Sequence, residues 1–140
     1  MLRSAARILR SPLIGLCFLI PVSATGVIAG VTSLDLYSEP GDGVGQWQEQ
    51  HFTEADGSFT VQRYVVDNAL VFNFSTPSYS HYWTLKFAPP RGFVLDVGTY
   101  TGAGRYPFQE PAGPGLDVSG DGLGCGTLVG DFDVKQVTYG

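Results

Sequence analysis

The densest alternation of apolar and polar positions occupies residues 81–108, HYWTLKFAPPRGFVLDVGTYTGAGRYPF. Trp83, Leu85 and Phe87 take one side of a period-2 strand, and Tyr82, Thr84 and Lys86 take the other. Pro89 and Pro90 stop that strand, because neither can donate to a ladder. Phe93, Leu95 and Val97 restart the alternation, and Gly98 ends it. Upstream, residues 34–38 (LDLYS) form a short alternating stretch, broken at 39–45 by one proline and three glycines. Residues 46–53 (QWQEQHFT) read as an edge strand with one wet face. Asp56-Gly57 predicts a hairpin between that strand and Phe59, since glycine accepts the positive φ of tight turns. In 59–66, Phe59 and Val61 point inward, Arg63 takes the next inward place, and Tyr64 and Val66 change parity. A bulge within 62–64 would reconcile the pattern. Residues 67–69 turn the chain, Leu70, Phe72 and Phe74 share a face, and 76–80 form a loop.

Beyond Gly98 the texture changes. Ten glycines lie from Gly98 to Gly130, with Pro107, Pro111 and Pro114 among them, a composition no helix survives. The expectation is long ordered loops with short strands, one of them at 116–119. Residues 127–139 close the chain as a strand with a second bulge near Lys135. No 3.6-residue periodicity follows the first thirty residues. Many short strands separated by turn signals predict an all-β fold, an antiparallel β-sandwich. The pattern leaves jelly-roll-like and immunoglobulin-like arrangements both open.

The first thirty residues read differently. Arg3, Arg7 and Arg10 precede an uncharged apolar run at 13–22, followed by small-x-small signals ending at Ala24 and Ala29. That is the layout of a secretory signal peptide, a signal helix within residues 1–29 cleaved after Ala24 or Ala29. A retained membrane anchor is the rival, and Pro21, Gly26 and Gly30 weigh against it. Residues 33–140 then make a single domain in a secreted, cell-surface or periplasmic protein, with no stable membrane insertion after cleavage. From Thr25 onward five Lys/Arg stand against thirteen Asp/Glu, a net charge of −8. Such a surface repels phosphate backbones, so nucleic acid is excluded as a partner.

Candidate chemistry is sparse. His51 and His81 are the only histidines, and neither Cys-x-x-Cys nor His-Glu-x-x-His spacing occurs. No Gly-x-Ser-x-Gly elbow is present. A hydrolase would have to draw on Glu39, Glu49, Asp96 and Glu110, whose spacing does not pair them. Asp117, Ser119 and Asp121 alternate oxygen ligands and precede Gly122, like the start of a calcium loop. The acid needed at the twelfth position is replaced by Leu128, so Asp131 or Asp133 would have to complete the set. Calcium is the one cofactor the pattern admits. Trp47, Tyr82 and Tyr106, with Arg105 beside them, suggest an aromatic surface for a polysaccharide or surface glycan. Trp83 shares parity with Leu85 and Phe87 and is assigned to the core. Once Cys17 leaves with the leader, Cys125 is the only cysteine in an exported chain. It is then a free thiol, an intermolecular bridge, or a disulfide half whose partner is unknown.

The chain also resembles a family of secreted bacterial all-β domains. The likeness rests on Trp83-x-Leu85-x-Phe87-Ala88-x-Pro90, Gly98-Thr99-Tyr100, and Arg105-Tyr106-Pro107-Phe108-Gln109. It continues through Pro114-Gly115-Leu116, Ser119-Gly120-Asp121-Gly122-x-Gly124-Cys125 and Gly130-x-Phe132-x-Val134. The resemblance implies an extracellular all-β module and carries no activity. It also implies a pattern that continues past Gly140 with a second cysteine, and therefore a chain truncated at its C-terminus. Gly126 departs from the asparagine that follows the cysteine in that pattern. The leading expectation is an exported, non-catalytic binding module. A structural module, calcium-stabilised or not, and a secreted hydrolase are the alternatives.

Overall fold

The computed structural model describes residues 32–139, together with the backbone of Ala5–Arg7. The signal-peptide assignment lies outside the described residues except for those three. The fold is all-β, with no helix among the described residues, and hence none long and apolar enough to cross a membrane. In chain order the strands are β1 (Ala5–Arg7), β2 (Ser33–Tyr37), β3 (Glu49–Thr53), β4 (Ser58–Arg63) and β5 (Leu70–Ser75). They continue as β6 (Tyr82–Ala88), β7 (Gly98–Arg105), β8 (Gly115–Gly120), β9 (Leu123–Gly124) and β10 (Val129–Val134). One sheet has the order β1-β2-β3. The other runs β10-β7-β8-β6-β5-β4, with β9 also paired to β8. Every pairing is antiparallel except the short parallel contact of β7 with β8.

The smaller sheet lies on one face of the larger one, which makes a sandwich rather than a closed barrel. Leu34 and Leu36 of β2 and Phe52 of β3 pack with Phe74, Trp83, Leu85 and Phe87 of the larger sheet. Phe52 and Phe74 stack with ring centroids 4.5 Å apart. The predicted inward side of β6 is inward: Trp83 is 2% exposed and Leu85 1%. Trp83 is the pivot of the interface. Its indole N–H donates to Gln50 Oε1 on β3 at 3.2 Å, so the one polar atom of a buried ring is satisfied by the opposite sheet. Its ring lies over Gly120, the residue paired with it on β8. A Cβ there would meet indole carbons at 2.3–2.6 Å.

Several local expectations are corrected. The Asp56-Gly57 hairpin does not form, because β3 and β4 belong to different sheets and this turn carries the chain between them. Asp56 Oδ2 accepts Thr53 N–H and Thr53 Oγ1–H, each at 2.8 Å, and closes the turn locally. β3 starts only at Glu49, since Gln46 and Trp47 take positive φ in the preceding loop. β4 pairs with β5 without a bulge. Arg63 keeps its inward parity because Asn68 Oδ1 and the Tyr139 ring receive its guanidinium at the sheet's end, and the strand stops before Tyr64.

Phe93, Leu95 and Val97 lie in a loop rather than a strand. Leu95 alone is buried and plugs the core, while Phe93 and Val97 are exposed. Gly92, at φ 88°, turns this segment, and Asn68 Nδ2 ties it down through Phe93 O. The glycine-rich region holds the expected strand over 116–119 as part of β8, and in addition an eight-residue strand, β7, longer than the short strands expected there. The irregularity expected near Lys135 sits between Gly130 and Phe132 instead. There Asp131 Oδ1 accepts the N–H of Gly102, a residue at φ 65°.

Replacing Gly120 by alanine inserts a methyl group where the Trp83 ring already sits. Overpacking of this kind costs about 1–3 kcal/mol. Urea denaturation of Gly120→Ala should show a midpoint lowered correspondingly, whereas Gly126→Ala, where an added Cβ meets nothing within 4 Å, should leave it near wild type.

Candidate functional site

Because side chains alternate along a strand, the burial of Trp83, Leu85 and Phe87 turns Tyr82, Thr84 and Lys86 to the other face of the larger sheet. Register brings matching residues beside them. Ser75 and Asn73 of β5 stand opposite Tyr82 and Thr84, and Ser119 and Asp117 of β8 stand opposite Thr84 and Lys86. The result is a polar field across the three central strands, on the face away from the smaller sheet, interrupted opposite Lys86 by the buried Val71 of β5.

The field is internally ordered. Thr84 Oγ1 donates to Asn73 Oδ1 at 2.9 Å, and Ser119 Oγ lies 3.5 Å from Thr84 O. Lys86 Nζ donates to Asp117 Oδ2 at 3.0 Å. Asp117 is 7% exposed, and a carboxylate that dry is retained only with positive partners. The second partner is Arg105, whose Nε lies 3.9 Å from Asp117 Oδ1. Arg105 stands opposite Leu116, the residue before Asp117, at the end of the β7–β8 pairing. β7 pairs with β8 only at Gly115 and Leu116, and β9 pairs with it only at Ser119 and Gly120. Asp117 and Val118 lie between these two pairings, and both are buried. Arg105 also donates from Nη1 to Gly126 O at 3.0 Å and lies over the Phe108 ring at 5.5 Å.

The four residues expected to bind a ligand are not assembled into one surface. Trp47 is 66% exposed on the loop joining β2 and β3, on the small-sheet side of the molecule. That loop is internally hydrogen-bonded: Asp42 accepts from Ser38 Oγ and Val44 N–H at 2.9 Å each, and Ser38 Oγ accepts Trp47 N–H at 3.1 Å. Tyr82 lies exposed on the opposite face. Tyr106 is buried against Ala69 and Ala88, and its hydroxyl donates to Asp67 Oδ2 at 2.6 Å. Arg105 serves Asp117. Of the four, Tyr82 and Arg105 reach the polar field. Asn73 and Asp117 were missed as part of it, although the outward parity of β5 and the sheet partner of Lys86 hold the signal.

Two of the three proposed calcium ligands are engaged by other protein groups. Asp117 is already held between two cations. Asp121, at φ 51°, accepts Tyr82 N–H through Oδ1 at 2.8 Å and contacts His81 Nδ1 through Oδ2 at 2.9 Å, which locks the β8–β9 turn to the start of β6. Among the described residues no group of three or more His, Cys, Asp and Glu could hold a metal ion. His51 pairs with Asp35 on the outer side of the smaller sheet. Glu39, Glu49, Asp96 and Glu110 stand on four separate segments. Cys125 is a half-buried free thiol packed against the core. Burial first, and the Asp42 and Asp117 carboxylates after it, push its pKa up and make it a slow nucleophile.

Comparison with known proteins leaves the geometry to stand by itself. No family model matches the chain, and no curated protein or solved structure matches it significantly.

Burial, followed by the hydrogen bond to Asp67, raises the Tyr106 phenol well above its ordinary value near 10. The folded phenol therefore keeps its proton when the unfolded one has lost it. The associated stability is complete below pH 10 and falls as pH rises beyond it. Denaturant titrations from pH 8 to 11 should show that decline in the wild type and a shallower one in Tyr106→Phe.

Proposed function

We propose that the protein is an exported, non-catalytic binding module, and that its ligand is a polysaccharide lying across the outer face of the larger sheet. One observation carries this reading. Three adjacent central strands present Tyr82, Thr84, Asn73, Lys86 and Ser119 together, and several of these are already fixed by mutual hydrogen bonds. Preformed donors and acceptors of this kind lose little freedom on binding, which favours hydroxyl-rich polymers. Tyr82, 42% exposed at the end of the field, supplies a flat face for the apolar side of a sugar ring. The basic, apolar and small-residue pattern of the first thirty residues and the acidic remainder support export to the cell surface, periplasm or medium.

Affinity electrophoresis in gels containing plant, bacterial and animal polysaccharides tests the reading. Retardation by at least one polymer should weaken about tenfold in Tyr82→Ala, which removes a stacking face. Trp47→Ala, on the other side of the molecule, should migrate like wild type. Loss of binding in Trp47→Ala with none in Tyr82→Ala would show that the surface has been misassigned.

A further inference from the structure

We infer that the outer-face site selects an anionic glycan, one carrying carboxylate or sulfate groups, and that Lys86 and Asn73 are the residues that recognise the anion. The inference rests on the binding-module reading above and adds the ligand's chemical class.

Donors and acceptors are unevenly satisfied across this face. At the centre of the field the amide and carboxylate oxygens already face donors. Asn73 Oδ1 takes the Thr84 hydroxyl, and the two Asp117 oxygens face Lys86 and Arg105. Not all the donors are engaged. The ammonium of Lys86 has three N–H groups and spends one on Asp117, and the Asn73 amide nitrogen has no partner among the described residues. Lys86 and Asn73 sit one step apart on the diagonal of the β5–β6 pair and on the same face, within reach of one small group. A ligand that satisfies this surface must bring acceptors.

Charge points the same way. Asp117 is one negative group between two positive ones, so the cluster carries a net charge of +1. It lies on a chain that holds five Lys/Arg and thirteen Asp/Glu from residue 25 onward. Arg105 does not itself reach for ligand through Nε, which is buried and lacks a hydrogen-bond partner. Its part is positioning: by facing the second oxygen of Asp117 it leaves the Lys86 charge uncancelled. Lys86 is partly exposed, with 27% of its side chain open to solvent, so the charge is both available and desolvated enough to matter. A general attraction of polyanions to the protein is opposed by its overall charge, which makes local recognition separable from nonspecific adsorption.

Calorimetric titration with polygalacturonate, dextran sulfate and uncharged dextran provides the test, using wild type, Lys86→Gln, Asn73→Asp and the control Arg91→Gln. Arg91 is exposed and lies outside the field. The inference expects binding to polygalacturonate or dextran sulfate, and the preferred polymer distinguishes carboxylate from sulfate. Affinity should fall about tenfold in Lys86→Gln, the loss of one charge-assisted contact. It should fall at least as far in Asn73→Asp, which leaves the Lys86–Asp117 pair intact and places a negative charge where the anion would sit. Arg91→Gln should bind like wild type. Equal losses in Lys86→Gln and Arg91→Gln, or none in either Lys86→Gln or Asn73→Asp when both are folded by circular dichroism, would overturn it. Binding to uncharged dextran alone would overturn the anion selectivity and leave the binding module standing. Failure to bind any polysaccharide would remove both.

Discussion

A single buried ring sets the geometry of this molecule. Trp83 lies between the two sheets, its face over Gly120 and its N–H held by Gln50 of the opposite strand. The contact is at once hydrophobic, steric and polar, and it admits few substitutes. A larger residue at 120 collides with the ring, and an apolar residue at 50 leaves a buried donor unpaired, at about 1–3 kcal/mol. Strand parity makes the constraint far-reaching. With Trp83 inward, the outward position of Tyr82, Thr84 and Lys86 follows, and the β5 and β8 registers carry the same division to their neighbours.

The outer face then acquires its character from a topological detail. Asp117 falls between the short parallel pairing of β8 with β7 and its pairing with β9, and Arg105, at the end of β7, faces it there. The buried carboxylate serves as an anchor for two cations, Lys86 and Arg105. Tyr106 follows directly and turns inward to Asp67, while Asp121 clamps the next turn to β6. Acidic residues that look like metal ligands in a linear reading are thus consumed in fixing the frame around the polar field.

The inward faces of β5 and β6 were legible because β6 alternates from Tyr82 to Phe87 and Leu70, Phe72 and Phe74 share one parity in β5, although Val71 is buried on the other. The buried position of Trp83 followed from its parity. Legibility failed where local pattern and long-range packing disagree. Asp56-Gly57 has hairpin chemistry, yet Gly57 is required because a Cβ would lie 2.3 Å from Ser75 O as the chain crosses between sheets. Phe93, Leu95 and Val97 alternate like a strand, yet only Leu95 has a hole to fill. β7 was hidden by its glycines, whose strand identity comes from pairing with β10 rather than from propensity. The site was half visible. Tyr82 and Arg105 could be named from type and neighbourhood, but Asn73 and Asp117 join it only through cross-strand register, which no linear motif encodes. Tyr106 and Trp47 looked equivalent to Tyr82, and only the three-dimensional arrangement separates a packed phenol and a ring on the far side from one beside the field.

The orientation of Trp83 underlies both the sandwich and the outward polar face, and it is directly measurable. Trp47 and Trp83 are the only tryptophans, so Trp47→Phe leaves Trp83 as the sole indole emitter. Acrylamide quenching of that variant should show a blue-shifted emission and a quenching constant several-fold below that of the urea-unfolded chain. A solvent-like emission maximum with quenching equal to the unfolded state would place the ring outside, reverse the faces of the larger sheet and contradict the account.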